Sequence, residues 1–414
     1  MAGLKALGYA VTFTSSTLSS TNAWDSSSVE GLKALGVHDV HVYEATAADE
    51  EFLALLNQFT STRRKLLHPR GSIYLLRRLL RYAPTLAALL REAGAGGPIN
   101  SLRYTPPAMR RWFGKVLEDA QPRVIVMNYA HWDGLLDHKK LAPVVRIIDT
   151  LDLVSINARM QQLVVPYLPA PLAAELTPDE ILDEKFFEKL GVRVPEEEFR
   201  IFDSYDHTIA ISSKEAELIK RHTHRTKVSW LPVTFEPRYI SNTYAGSPLF
   251  AVGPNLFNLQ GYLYFAKKVL PAVRRSIPSF SLRVTGSFYN HAPPSPSDGI
   301  ILGGFVPDLK IIYETAGFFV CPVFGGTGQQ IKIVEAMAHG LPVVALRFAA
   351  ERSPIKHEVN GLVADDAPEF AAHVVRLWND PALRRRMGEA ARETIAQEAS
   401  HTRTIETLAS MLDH

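Results

Sequence analysis

The sequence predicts an α/β protein made of two units, each a parallel sheet covered by helices. Three observations predict this. Short apolar runs alternate with helix-length segments that end in glycine, the pattern of strands joined by helical crossovers. The alternation halts in a polar, turn-rich stretch at 235–248, FEPRYISNTYAGSP, and then resumes. The chain has 414 residues, and at roughly 100–200 residues per domain that is enough for two or three.

In the first unit, Leu4 and Leu7 read as the last turn of a helix stopped by Gly8, and 9–14 reads as a strand. The pattern repeats with a helix over 28–35, Gly36 as its stop, and a strand over 38–43. Residues 50–120 read as mostly helical. Strands follow at 123–128 and 143–149. The acidic, proline-containing stretch 155–200 reads as a helical insertion, with Thr177 and Glu180 in capping-box spacing. YDHTIAISSKEAELIKRH reads as strand, turn and helix capped by Ser212 or Ser213, and Trp230-Leu-Pro232 closes the unit.

The second unit has strands at 249–253, 280–285, 300–302, 317–323 and 342–346, with helices between. Residues 379–412 read as a long, partly amphipathic helical region. The domains are therefore drawn at 1–240 and 241–385, with a terminal helix over 386–414.

Composition narrows the function. The chain is 46% hydrophobic and 21% charged, ordinary for a globular protein. Its 45 basic and 43 acidic residues leave a net charge of +2, no overall footprint for nucleic acid. The single cysteine, Cys321, allows no internal disulfide and fits a reducing cytoplasm. The best apolar run, 73–90, is interrupted by Arg77, Arg78 and Arg81, so no spanning helix is expected. A cytoplasmic protein is expected, with peripheral contact at the inner membrane face through the basic segment 63–91 as one reading and a solvated helix as the other.

The chemistry concentrates in GFFVCPVFGGTGQQIKIVEAMAHGLPVVAL at 317–346. An apolar strand runs into Gly325, Gly326, Thr327 and Gly328, and a helix starts near Gln329. Glycines at a strand's carboxyl end let backbone N–H groups approach a phosphate, and the helix dipole favours an anion there. Lys332 adds positive charge, and Glu335 lies on the same helix face, where a carboxylate accepts two hydrogen bonds from ribose hydroxyls. A plain surface ion pair between the two is the competing reading. The segment is neither a dinucleotide fingerprint nor a P-loop, because Ile331 stands where the fingerprint needs glycine and no Gly-Lys-Ser/Thr follows.

GTGQQIKIVEAMAHGLPVVA resembles the donor-binding signature of the family-four group of retaining glycosyltransferases. NGLVADD at 360–366, LWNDPALRRRMGEAARE at 377–393 and the segments from 249 to 322 resemble the same family. The resemblance implies the GT-B fold: two Rossmann-like domains facing across a cleft, with the final helix crossing back to the first. It implies transfer from a nucleoside diphosphate sugar to a glycan or lipid-linked acceptor with retention of configuration, with no cofactor and no obligatory metal. Residue by residue, Glu335 corresponds to the family's ribose-binding glutamate and Lys332 to a basic residue facing the diphosphate. Gly326, Thr327, Gly328 and Gln329 correspond to the loop around phosphate and sugar, and Phe305 and Val306 to the segment beside the base. His131, in Asn128-Tyr-Ala-His-Trp-Asp133, corresponds to the catalytic histidine facing the donor sugar. Asp149 and Asp152, in IIDTLDL, are acceptor-side candidates or helix caps, with capping slightly favoured.

The sequence departs from the family in three places. Thr327 stands where many members have a second glutamate. The loop from Gly253 to Gln260 lacks the usual Arg and Lys. The chain also opens where the family's first helix ends, so the first strand and its glycine loop are expected to be missing from an incomplete sequence. The alternative functions are a non-catalytic GT-B scaffold that partners another transferase and, less favoured, a sugar-nucleotide epimerase.

Overall fold

The computed structural model describes residues 2–18, 26–62, 101–141, 143–168, 179–192, 194, 196–239, 242–288 and 298–412. The basic segment 63–91 and Thr177 lie outside them. Twelve strands form three parallel sheets among these residues. β1 (Thr12–Ser16) pairs with β2 (Asp39–Tyr43). β3 (Val124–Asn128), β4 (Val145–Asp149), β5 (His207–Ala210) and β6 (Lys227–Trp230) form a second sheet in that order. The third contains β7 (Leu249–Val252), β8 (Leu282–Gly286), β9 (Ile300–Gly304), β10 (Phe319–Cys321), β11 (Val343–Leu346) and β12 (Gly361–Ala364).

The third sheet's order is β12-β11-β10-β7-β8-β9. From β7 the chain winds outward through β8 and β9, then returns to the other side of β7 at β10 and winds outward again. The direction reverses between β7 and β10. Crossover loops leave in opposite directions there, opening a crevice at the carboxyl ends of both strands. The central strands are buried throughout, which is why they read as unbroken apolar runs such as Leu249–Val252 and Val343–Leu346.

The first half keeps its sheet in two pieces. No strand joins β1 to β3 among the described residues. Val126 of β3 is 40% exposed.

One apolar core runs through both halves, from Ile148 and Phe202 to Phe250 and Val344. The insertion supplies much of the join. It holds helices Val154–Val164, Phe186–Lys189 and Glu196–Phe202, and short 3-10 turns. Phe187 meets Phe257 edge-on at 5.8 Å, and Gln260 Nε2 donates to the Ile181 carbonyl at 2.7 Å. Lys268 pairs with Asp179 at 2.9 Å.

Several elements differ from their sequence reading. The carboxyl-terminal region is two helices, Pro381–Glu398 and His401–Leu412, because the chain breaks at Ala399. The second helix lays Leu408 and Met411 against Ile147 and Ile209 of the first half. β12, Gly361–Ala364, adds a strand where the sequence reading placed none. The glycine-loop helix starts at Ile331 rather than Gln329. The polar stretch 235–248 is no loose tether. Tyr244 is buried at φ +54°, and its hydroxyl donates to the Gly340 carbonyl at 2.9 Å. Asn242 Nδ2 donates to the Tyr313 carbonyl at 2.8 Å.

Gly388 lets the helix Pro381–Glu398 approach that contact. A Cβ there would lie 2.2 Å from the Gly340 carbonyl oxygen and 2.6 Å from the Tyr244 hydroxyl. Gly388→Ala is expected to lower unfolding stability by about 1–3 kcal/mol, the usual cost of forcing an atom into a packed interior. Urea denaturation at constant m-value checks this.

Candidate functional site

The crevice between β7 and β10 receives two loops. After β7, Asn255 caps the helix Leu256–Tyr264, its Oδ1 accepting from Phe257 N at 2.8 Å. After β10 comes the glycine-rich loop. Gly326 has φ +104°, which a side chain would resist. A Cβ on Gly325 would lie 2.3 Å from the Phe257 ring, and one on Gly328 would lie 2.8 Å from the Leu151 carbonyl oxygen. These glycines therefore serve close approach as well as turning. Gly328 is pressed against the first half of the molecule.

The loop leads into the helix Ile331–Ala338, whose amino terminus carries no side-chain cap. Lys332 Nζ donates to Glu335 Oε2 at 2.9 Å, and the Tyr313 hydroxyl donates to the same oxygen at 3.2 Å. Burial, then the Glu335 charge, pushes the Tyr313 phenol well above its usual pKa. The structure thus contains the Lys332–Glu335 pair of the plainer reading. It adds a buried tyrosine that orients the carboxylate from the other side. Gln329 is buried, and its Oε1 accepts from Val233 N at 2.9 Å. Val306 is half-buried beyond β9, next to Phe305, which is 73% exposed.

On the facing side, His131 follows β3 in the 3-10 turn Ala130–Leu135. Its ring is caged by Tyr104 at 4.4 Å, Trp132 at 5.0 Å and Tyr129 at 5.2 Å, the last stacked. Nδ1 is buried without a hydrogen-bond partner. Burial lowers the imidazole pKa to about 4, so the ring is neutral near pH 7. Tyr129 holds φ +61°, a strained backbone at the end of the strand.

The turn after β4 carries Asp149 and Asp152. Both carboxyls are raised by burial, Asp149 to about 6. Neither caps the helix Val154–Val164, contrary to the favoured sequence reading. The cap is Glu198, which accepts from Val154 N at 2.8 Å, Ser155 N at 3.0 Å and the Ser155 hydroxyl. Asp152 instead reaches across to the second half. Its Oδ1 accepts from the Thr327 hydroxyl and from Gly328 N at 2.9 Å, while Asn157 Nδ2 donates to Oδ2. Leu153 N donates to Thr327 Oγ1 at 2.9 Å. The structure thus joins Asp152 directly to Thr327 and Gly328. His131 and the Lys332–Glu335 pair make no direct hydrogen bond to that group.

Glu215 and Arg352 complete the surroundings. Glu215 is 2% exposed; Thr150 Oγ1 donates to Oε2 at 3.4 Å, and Oε1 has no partner. Burial, followed by the Asp152 and Glu198 charges, raises its carboxyl to about 8. Burial raises Glu198 to about 7. Arg352 Nη1 donates to the Phe348 carbonyl at 2.9 Å with its guanidinium over the Phe348 ring, and burial lowers its pKa against the charges of Glu351, Glu215 and Asp152. A cleft of about 160 Å3 between the halves is lined by Ser212, Gln329, Arg352 and Lys356. Sequence reasoning missed Glu198, Glu215 and Arg352. Glu198 lies in an acidic run that reads as solvated. Glu215 follows Ser212 at capping-box spacing, and Ser212 Oγ does cap the helix, but the glutamate turns inward. A larger cavity of about 600 Å3, lined by Arg146, Arg225 and Lys227, lies at the opposite, amino-terminal ends of β4–β6 and holds none of the predicted site residues.

The raised carboxyls make stability depend on pH. A carboxyl that folding holds protonated keeps its proton in the native chain while the unfolded chain has lost it. Stability therefore falls as pH rises through that window. For Glu215 the window runs from 4.5 to about 8. Glu215→Gln cannot ionise, so its Tm relative to wild type is expected to rise steadily from pH 5 to pH 8 and then level off. Calorimetry across that range measures the difference.

Residues 248–380, about a third of the chain, match the family model of glycosyl transferases group 1. An "Uncharacterized 44.6 kDa protein in cps region" of Klebsiella pneumoniae is 27% identical over 207 residues, 46% of this chain and 51% of that protein. An uncharacterized glycosyltransferase of Haemophilus influenzae is 25% identical over 173 residues, 39% and 48% of the two. The chain thus spans about half the length of these curated relatives. A Rickettsia africae glycosyltransferase superposes with a TM-score of 0.58 at 10% identity, over 99% of this chain and 91% of that one. The Anabaena protein Alr3699/HepE in complex with UDP gives 0.55 at 13% identity, over 98% and 100%. The fold is therefore GT-B, two Rossmann-like units.

Proposed function

We propose that this chain is a retaining glycosyltransferase that moves a sugar from a nucleoside diphosphate sugar to a glycan or lipid-linked acceptor. The observation that carries the reading is the crevice between β7 and β10, with a glycine loop, an uncapped helix terminus and Lys332 beside Glu335. Anions bind at such a terminus, where free N–H groups and the helix dipole converge. The Lys332 ammonium would face the diphosphate. Glu335, held by Tyr313, would accept from the ribose hydroxyls.

In the transfer, the acceptor oxygen bonds to the anomeric carbon as that carbon's bond to the diphosphate oxygen breaks. The acceptor proton passes to the departing diphosphate oxygen. His131 is neutral and has an unpartnered nitrogen, which suits a hydrogen bond to the sugar better than a charge pair. It stabilises developing charge rather than removing the acceptor proton by itself. Asp149, half-buried on the same side, is the acceptor-side candidate. The matched family model and the relative's name support the reaction class. The UDP bound to the Anabaena protein makes UDP the first nucleotide to test. No helix among the described residues is long and apolar enough to cross a membrane. A lipid-linked acceptor would thus be met at a surface.

A thermal-shift panel with UDP, GDP, ADP, CDP and their sugar conjugates tests the donor site. Saturation at a hundredfold excess over Kd adds about 2.7 kcal/mol to the folded state. One base is expected to shift Tm selectively. Glu335→Ala and Lys332→Ala are each expected to weaken that nucleotide about tenfold, the scale of one charge-assisted hydrogen bond. His131→Ala should leave nucleotide affinity near wild type and reduce turnover of the sugar conjugate by about a hundredfold. Unchanged affinity in both donor-site variants would remove the assignment.

A further inference from the structure

We propose that Asp152 is a positioning residue that holds the donor loop from across the crevice, and that a bound nucleotide sugar replaces it on the loop. This rests on the reading of the loop as the donor site. The loop offers two polar hydrogens toward the first half, the Gly328 N–H and the Thr327 hydroxyl. One carboxylate oxygen, Asp152 Oδ1, takes both. The other oxygen is fixed by Asn157, and the neighbouring Leu153 N–H grips Thr327 Oγ1 at 2.9 Å. The turn that does this is itself constrained. Leu151 has φ +52°, and its carbonyl is so close to Gly328 that no side chain fits between them.

A carboxylate oxygen on these two donors is placed as a phosphate oxygen or an accepting sugar hydroxyl would be. Two acceptors cannot share one N–H with full strength, so the ligand and Asp152 compete. Asp152 stays anchored when the loop leaves it, because Asn157 Nδ2 still donates to its other oxygen. The apparent affinity for the donor is then the intrinsic affinity multiplied by the fraction of molecules with the loop free. Once released, Asp152 lies with Asp149 on the acceptor-side turn. The donor thus binds first and frees a carboxylate for the second substrate.

The test uses the full chain with Asp152→Ala and the isosteric Asp152→Asn, which keeps the turn filled if the alanine form folds poorly. Titration calorimetry with UDP and UDP-glucose, and with the base chosen by the nucleotide panel if it differs, reads the affinity. Asp152→Ala is expected to bind roughly tenfold tighter, the fold-change that one charge-assisted hydrogen bond represents, and Asp152→Asn to move the same way by less. Hydrogen exchange without nucleotide is expected to be faster at 325–329 in both variants. A merely structural role predicts weaker binding, the opposite sign. Measurable binding that Asp152→Ala leaves unchanged or weakens overturns the competition and leaves the donor reading standing. Unchanged exchange at 325–329 overturns the hold on the loop. Absence of nucleotide binding in wild type and both variants overturns the donor reading itself, and the competition with it.

Discussion

The join between the halves depends on charge buried where they meet. Asp152 crosses from the first half to the glycine loop of the second, while Glu198 caps the helix just after it and Glu215 accepts from Thr150 just before it. A charge taken out of water is costly unless hydrogen bonds replace its hydration. Here they come from two polypeptide segments far apart in sequence, so the carboxylate is satisfied only while the segments stay together. The close approach of Gly328 to Leu151 follows from this, and so does the need for glycine at that position. The apolar join through Phe187 and Phe257 supplies burial without direction. The hydrogen bonds to Asp152 supply register.

Around this join the two sides of the crevice are built differently. The second half offers groups on a helix terminus and a rigid sheet: Lys332, Glu335 and the loop amides. The first half offers aromatic and carboxylate groups on strained turns, with positive φ at Tyr129 and Leu151. Such strain persists only where the surroundings over-determine it, and it gathers at functional sites. Tyr129 joins the two turns, since its N–H donates to the Asp149 carbonyl at 2.9 Å while its ring stacks on His131. A rearrangement of the Asp149–Asp152 turn therefore reaches the histidine through a single residue.

The packing that frames the crevice also explains why the carboxyl terminus returns to the first half. β4 and β5 carry Ile147 and Ile209 on a face that needs cover, and Leu408 and Met411 provide it. The helix break at Ala399 gives the chain the change of direction this needs. Tyr244 ties the 235–248 stretch to Gly340, next to the end of the glycine-loop helix. Two spans of chain that join the halves are thus packed against structure rather than hanging free.

The sequence by itself determined the fold class, the alternation of strands and helices, the two-unit plan and the position of the glycine loop. It did so because these follow from local patterns: apolar runs of strand length, glycine stops and a turn-rich interval. It also placed Lys332 and Glu335 on one helix face, since helical spacing is a local property. Only the tertiary structure decided what Asp152 does. A carboxylate after a strand reads equally as a cap, an acceptor ligand or a cross-link, and the choice depends on a partner 176 positions away. Glu198 and Glu215 were illegible for the same reason. Their local contexts, an acidic run and a capping box, describe exposed residues, while their burial comes from elements that sequence spacing does not relate. The single long terminal helix failed as a reading because propensity continued through Ala399 while packing on the first sheet required a bend. Local chemistry fixed the parts; the placement of buried charge between distant segments fixed how they meet.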